Sequence, residues 1–309
     1  MKAKIFWALP VAILGGVAAL VLPHLRARST AGVEVIPDVE VGRAGSRIFH
    51  VEIARPIHPP SEPMPAVLYI HGGGWMKGSY QNGTKGFLAA KGYFTASVDY
   101  RLIPEAKWPA QLEDCKLAVR WLRANAEKYH VDPNRIGCWG ASAGGHLAAC
   151  LGVTGSESRF DGSGGYPGVS SAVQALVDQS GPVDFTDSAV QEASLHNGKS
   201  LTTLDLLFGE TYSAKPDLWK DGSPITHVRA GAPPFLVVHG DLDHTVPYSQ
   251  SVRFVAALKG AGVPVQFVTF PGCDHHLKMV SAVKPDAPAP RPLDDLVLEF
   301  FDANLKGKK

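Results

Sequence analysis

Apolar and polar positions change rhythm along this chain of 309 residues. Short apolar blocks bounded by turn residues occur at 66–70, 93–98, 135–139, 172–177, 234–238 and 265–270, and each predicts a buried strand. Between them the apolar positions take helical spacing. In 110–129, Leu112, Cys115, Ala118, Val119 and Leu122 fall on one face, and 143–151, 248–258 and 293–305 also predict helices. Strands alternating with helices predict an α/β fold with a mainly parallel central sheet flanked by helices on both faces. Upstream, 33–42 and 47–55 are two strands able to pair as a hairpin, followed by a surface loop at 58–65 that holds four prolines.

Two stretches break the alternation. Residues 154–171 are rich in Gly and Ser and predict a surface loop. Residues 185–232 are long for a strand-to-strand connection and contain a helical segment at 203–208. An insertion of this length at the functional edge of a sheet is placed to act as a lid.

The start of the chain differs from the rest. Lys2 and Lys4 precede an apolar run at 5–22, and His24, Arg26 and Arg28 follow it. A basic start and a long apolar core predict an export signal, with Ser29 and Ala31 permitting cleavage after Ala31. The run is also just long enough to span a bilayer, so a retained anchor is the alternative. The expected organisation is a signal peptide or membrane anchor at 1–31 and one α/β domain at 33–305, with the protein periplasmic or extracellular.

Composition removes several function classes. Hydrophobic residues make up 45% and charged residues 19%, which suits an ordinary globular core. Lys+Arg number 30 against 29 Asp+Glu, a net charge of +1 that offers no footprint for nucleic acid. Cys115, Cys138, Cys150 and Cys273 fall in predicted core positions or loops without paired spacing, and are expected as buried thiols rather than disulfides. No His, Cys, Asp or Glu group has metal-ligand spacing, so neither metal nor cofactor is expected.

The chemistry concentrates in four places. Gly140-Ala141-Ser142-Ala143-Gly144 matches Gly-x-Ser-x-Gly between a predicted strand and a predicted helix. Such an elbow forces the serine into strained backbone, and the glycines remove side chains that would collide there. It also sets the N–H of Ala143 at a helix N-terminus, facing a developing oxyanion. His71-Gly72-Gly73-Gly74-Trp75 follows a strand 71 residues earlier, and its loop lets the N–H groups of Gly73 and Gly74 approach a substrate oxygen. His71 is expected to brace that loop, and Trp75 to contact the acyl side of a substrate.

A serine needs a base, and the base needs an acid that fixes its tautomer. The strand at 234–238 runs into His239-Gly240-Asp241-Leu242-Asp243, where Asp243 is the favoured acid, Asp241 a backbone partner and Asp184 a more distant candidate. The last strand runs into Asp274-His275-His276, which supplies the base, His275 being favoured over His276.

With these motifs in this order, residues 33–305 resemble the α/β-hydrolase superfamily. Within it they resemble bacterial esterases with an HGGGW loop, including the acetyl-xylan and feruloyl esterase-like branch. The hormone-sensitive-lipase-like group shares the loop but usually has Asp where this chain has Ala141, and Asp-Pro-Leu where this chain has Asp243-His-Thr-Val-Pro. The branch usually shows Gly-His-Gly around its histidine. Here Asp274 and His276 flank His275, and aligning the family's Pro-Gly-x-x-His on Pro271-Gly272 selects His275. The resemblance implies a serine carboxylesterase working through an acyl-enzyme on short acyl or aryl esters, acetyl or feruloyl esters of plant polysaccharide included. The expected partner is a small-molecule or polysaccharide-linked ester, with membrane contact only through the N-terminal segment. Amide cleavage, as in formamidases or peptidases, and a catalytically dead binding protein are the alternatives.

Overall fold

A computed structural model describes residues 28–30, 32–81, 83–194, 202–280 and 291–307. The apolar run at 5–22 and the cleavage position Ala31 lie outside them. Of the predicted N-terminal segment, Arg28–Thr30 is described as a short strand, β1, paired antiparallel with the start of β2 (Val33–Ala44). Among the described residues no helix is long and apolar enough to cross a membrane.

The remaining elements follow in chain order as β3 (Arg47–Pro56), β4 (Met64–Ile70), α1 (Gly86–Ala89), β5 (Phe94–Val98), α2 (Ala110–Ala124), β6 (Val131–Ala141) and α3 (Ala143–Thr154). After them come β7 (Ala175–Gln179), α4 (Ser188–Ser194), α5 (Thr203–Phe208), α6 (Pro216–Asp221), β8 (Phe235–Gly240), α7 (Ser249–Gly260), β9 (Val265–Phe270) and α8 (Leu293–Phe301). The strands form one sheet in the order β1-β2-β3-β5-β4-β6-β7-β8-β9, antiparallel up to the β3–β5 pair and parallel beyond it.

Strand alternation divides the core between the two faces of this sheet. Ala66, Leu68 and Ile70 of β4 join a cluster with Leu112, Leu147 and Phe254 from α2, α3 and α7. Val67, with Trp139 of β6 and Val238 of β8, faces Leu88 of α1 and Val297 and Phe301 of α8. Both faces being covered explains why these strands read as nearly unbroken apolar runs. The four cysteines are buried and unpaired, as expected.

Several boundaries move. The strand expected at 172–177 begins at Ala175 and runs to Gln179, because ladder pairing with β6 starts at Ala175↔Gly137. The helix expected to reach 129 stops at Ala124, where the side chain of Asn125 turns back to the Trp121 carbonyl. The last helix gives way after Phe301 to a wider turn over Asp302–Lys306. Within the insertion, α4 and α6 accompany α5, where only the last was expected.

The chain leaves β4 to form β5 on one side and then returns to place β6 on the other. Such a reversal opens a crevice beyond the carboxyl ends of the two central strands. The glycine loop leaves β4 and the serine elbow leaves β6 at that crevice.

Candidate active site

The elbow is strained in the way its glycines anticipate. Ser142 sits at φ 56° and ψ −121°, a region an L residue rarely occupies, at a cost of about 1–3 kcal/mol. A Cβ on Gly140 would lie 2.0 Å from the Gly144 carbonyl oxygen, and one on Gly144 would lie 2.1 Å from that of Ile70. Neither backbone can yield, so both positions demand glycine. The Ser142 N–H donates to the Gln179 carbonyl (2.8 Å), which ties the elbow to β7.

Ser142 Oγ lies 2.8 Å from His275 Nε2, and His275 Nδ1 lies 2.6 Å from Asp243 Oδ2. Burial opposes ionisation of Asp243, but hydrogen bonds from His239, His275 and the Val246 N–H outweigh it and hold the carboxyl well below its usual range. An ionised carboxylate only accepts, so the Nδ1 proton of His275 points at Asp243 and its Nε2 is left bare toward the serine hydroxyl.

The competing candidates are engaged elsewhere. Asp241 accepts the Gly272 N–H, joining the loop after β8 to the loop after β9. Asp184 accepts the backbone and hydroxyl of Thr186 and pairs with Arg253. His276 is exposed, its ring packing edge-on against that of His275. His71 braces the glycine loop: its Nδ1–H donates to the Gly72 carbonyl, its ring stacks on Tyr100, and the Tyr100 hydroxyl donates to the His71 carbonyl.

Gly72 packs against the elbow, since a Cβ there would meet the Ala141 carbonyl at 2.8 Å. Gly73 and Gly74 both take positive φ, and a Cβ on Gly73 would lie 2.0 Å from the Lys77 carbonyl oxygen. Gly74, Ser142 and Ala143 line one cavity of about 160 Å³, whereas Gly73 is not in its wall. Trp75 is buried yet lines the same cavity together with Phe185, whose ring it meets edge-on, Val190, Leu204 and Val246. Thr203 and Leu204 of α5 bring the insertion into the wall, and a reciprocal cap between Thr202 and Asp205 holds the start of that short helix. Trp139, by contrast, is core.

Two buried histidines complete the site without having been anticipated. His146, one turn along α3 from Ser142, accepts the Trp75 indole N–H on Nδ1 (3.2 Å) and donates from Nε2 to the Gly222 carbonyl (2.8 Å). It thereby links Trp75 of the glycine loop, the elbow helix and the insertion. Burial pushes its imidazole down to about 4, against the Gly222 carbonyl, which favours the proton. His239, at the end of β8, places Nε2 2.9 Å from Asp243 Oδ2 and Nδ1 2.7 Å from Ser251 Oγ. The signal for both was a histidine inside an otherwise apolar, fully buried element, where an imidazole must find partners.

A mainly parallel sheet covered by helices on both faces, a strained serine between β6 and α3, and a histidine and aspartate from the loops after β9 and β8 define the α/β-hydrolase class. The BD-FAE family profile matches residues 52–258, and the chain belongs to that family. Esterase LipC of Mycobacterium tuberculosis is 33% identical over 233 residues, covering 73% of this chain. The chain spans 56% of the length of LipC. A truncated carbohydrate esterase from gut microbiota superposes with a TM-score of 0.71 at 30% identity, covering 81% of this chain and 92% of that one. Esterase Est2 of Thermogutta terrifontis, solved with propionate bound, gives a TM-score of 0.65 at 27% identity, covering 88% of this chain and 92% of that one.

Proposed function

We propose that the protein hydrolyses carboxylic esters through an acyl-enzyme on Ser142. The observation that carries this reading is the hydrogen-bonded series Ser142–His275–Asp243 at the wall of a cavity also lined by Gly74 and Ala143. Ser142 Oγ attacks the ester carbonyl while its proton passes to His275 Nε2. The N–H groups of Ala143 and Gly74, with Gly73 alongside, receive the oxyanion; collapse expels the alcohol, which takes the proton from His275. Water then repeats the sequence with His275 as base, releasing the acid and restoring the serine.

The acyl group is short or aromatic. A cavity of roughly 150 Å³ lined by apolar side chains accommodates benzene. The space of about 160 Å³ among Trp75, Phe185, Val190, Leu204 and Val246 therefore suits acyl groups from acetyl to about six carbons or one ring. The propionate complex of Est2 supports the short end of that range. A polysaccharide-linked alcohol is supported by the likeness to the gut carbohydrate esterase, and export by the basic and apolar N-terminal segment.

The decisive experiment compares wild type and Ser142→Ala on nitrophenyl esters of increasing chain length, acetylated xylan and a formyl amide. Wild type should favour the short esters over the amide, and Ser142→Ala should lose on the order of 10⁴-fold or more in kcat while remaining folded. Near-wild-type turnover by a purified Ser142→Ala protein would sink the mechanism.

A further inference from the structure

Asp243 is the centre of a nearly mirror-symmetric chain. On one side stand His275 and Ser142, facing the cavity. On the other stand His239 and Ser251, both with no exposed surface. The two imidazoles meet the same carboxylate oxygen, Oδ2, at 2.9 Å (His239) and 2.6 Å (His275). The other oxygen, Oδ1, is taken by the N–H groups of Thr245 (2.8 Å) and Val246 (2.9 Å). The inner Ser–His pair cannot meet substrate, because nothing reaches it from solvent. Its place on Oδ2 nevertheless puts it in direct competition with the outer pair.

The protonation of the inner pair follows from its partners. Asp243 is an ionised acceptor, so His239 must carry a proton on Nε2, which it also shares with the Val246 carbonyl at 3.1 Å. Its Nδ1 faces only the Ser251 hydroxyl of α7, which can donate to it. The Tyr248 ring stands edge-on to His239 at 5.7 Å and His276 edge-on to His275, while Asp274, next to His275 in the chain, accepts the N–H groups of His276 and Lys278. Among the described residues no lysine or arginine is ion-paired to Asp243. What the geometry fixes is the donor on the Asp243 side, Nε2–H, and the Ser251 hydroxyl completes the hydrogen bonding of the ring at Nδ1.

We propose that His239 is a positioning residue whose Nε2–H occupies part of Asp243 Oδ2 and so sets how strongly Asp243 stabilises the protonated form of His275. The inference rests on the reading of Ser142, His275 and Asp243 as the catalytic machinery. Two donors on one oxygen each receive less of its charge than one donor would. Removing the inner donor hands the whole of Oδ2 to His275, favours the imidazolium, and disables the base at a higher pH. A merely structural histidine would change stability and leave the pH profile where it was.

The test measures kcat/KM for a short nitrophenyl ester against pH in wild type, His239→Phe and His239→Gln. The phenyl ring keeps bulk without an N–H, and the carboxamide keeps a donor near the position of Nε2. The acid limb should move to higher pH by roughly 0.5–1 unit in His239→Phe, and return toward wild type in His239→Gln. Limbs that coincide in all three proteins, or that move equally in both variants, overturn the proposal. Should His239→Phe fail to fold, long-range proton–nitrogen correlation spectra of the ¹⁵N-histidine wild-type protein at pH 7 decide the matter. They should show His239 carrying a proton on Nε2, and a bare Nε2 overturns it. The two readings fail separately: turnover surviving in Ser142→Ala removes the catalytic assignment, whereas an unmoved limb beside an inactive Ser142→Ala removes only the role of His239.

Discussion

His146 should make folding stability depend on pH in a way that one substitution isolates. In the folded chain its Nδ1 accepts from the Trp75 indole, so a second proton there would set two donors against each other inside a site with no exposed surface. Burial lowers its proton affinity from the ordinary 6.5 to about 4. Between those values the unfolded chain binds one proton more than the folded chain. Stability due to a neutral His146 is therefore complete above about pH 6.5 and declines as pH falls toward 4. Evaluated between pH 7.5 and pH 5, the linkage removes about 2 kcal/mol. The raw wild-type profile will conceal this. Burial raises the carboxyl of Asp178 from 3.8 to about 7, against the Gly181 N–H, so its folded form holds a proton longer and its contribution declines as pH rises through the same window. The two slopes oppose each other. Urea unfolding of wild type and His146→Gln at half-unit steps from pH 5 to 7.5 cancels Asp178 and every other shared group in the difference. His146→Gln should gain about 2 kcal/mol on wild type as pH falls across that range. A difference that stays level within about 0.5 kcal/mol would show that His146 takes up protons alike in both states, and the Trp75–His146–Gly222 link would lose its basis.

Asp243→Asn should slow turnover by about 10³–10⁴-fold with KM little changed, because the amide can donate to His275 and present the wrong tautomer to Ser142; steady-state kinetics on a short nitrophenyl ester checks this. Leu204→Ala, in the wall of the same cavity as Trp75, should raise the relative kcat/KM for octanoyl over acetyl esters, by roughly 1 kcal/mol for each methylene newly accommodated. It is a cleaner probe of the acyl limit than Trp75→Ala, which would also orphan His146 Nδ1 and cost about 3–5 kcal/mol of stability. An unchanged chain-length profile in Leu204→Ala would mean that this wall does not meet the acyl group.

What the sequence revealed and what it hid follow from how far each signal reaches along the chain. The strand Val265–Phe270 has the limits its sequence predicts, because an apolar-rich stretch ends there between Gly262 and Pro271-Gly272 and all the information is local. The serine elbow is local in its motif and in the close approach of Gly140 to the Gly144 carbonyl, whereas the second reason for glycine at 144, the Ile70 carbonyl at the end of β4, comes from a distant strand. The short helices Ser188–Ser194 and Pro216–Asp221 left no such trace, since one or two turns hold too few apolar positions to display a period. The two inner histidines were hidden for a different reason. In an apolar strand or helix a lone histidine looks like a blemish in the pattern, and its meaning lies with partners elsewhere in the chain. For His146 those partners are Trp75, 71 positions before it, and Gly222, 76 positions after it. For His239 one partner, Asp243, is only four residues away, but the sharing of Oδ2 with His275 needs a loop 32 residues beyond that aspartate to fold back over it. A buried polar side chain must be satisfied, so such a blemish marks the place where distant segments are compelled to meet. Here both blemishes lead to the candidate site, one through Trp75 in the cavity wall and the other through Asp243.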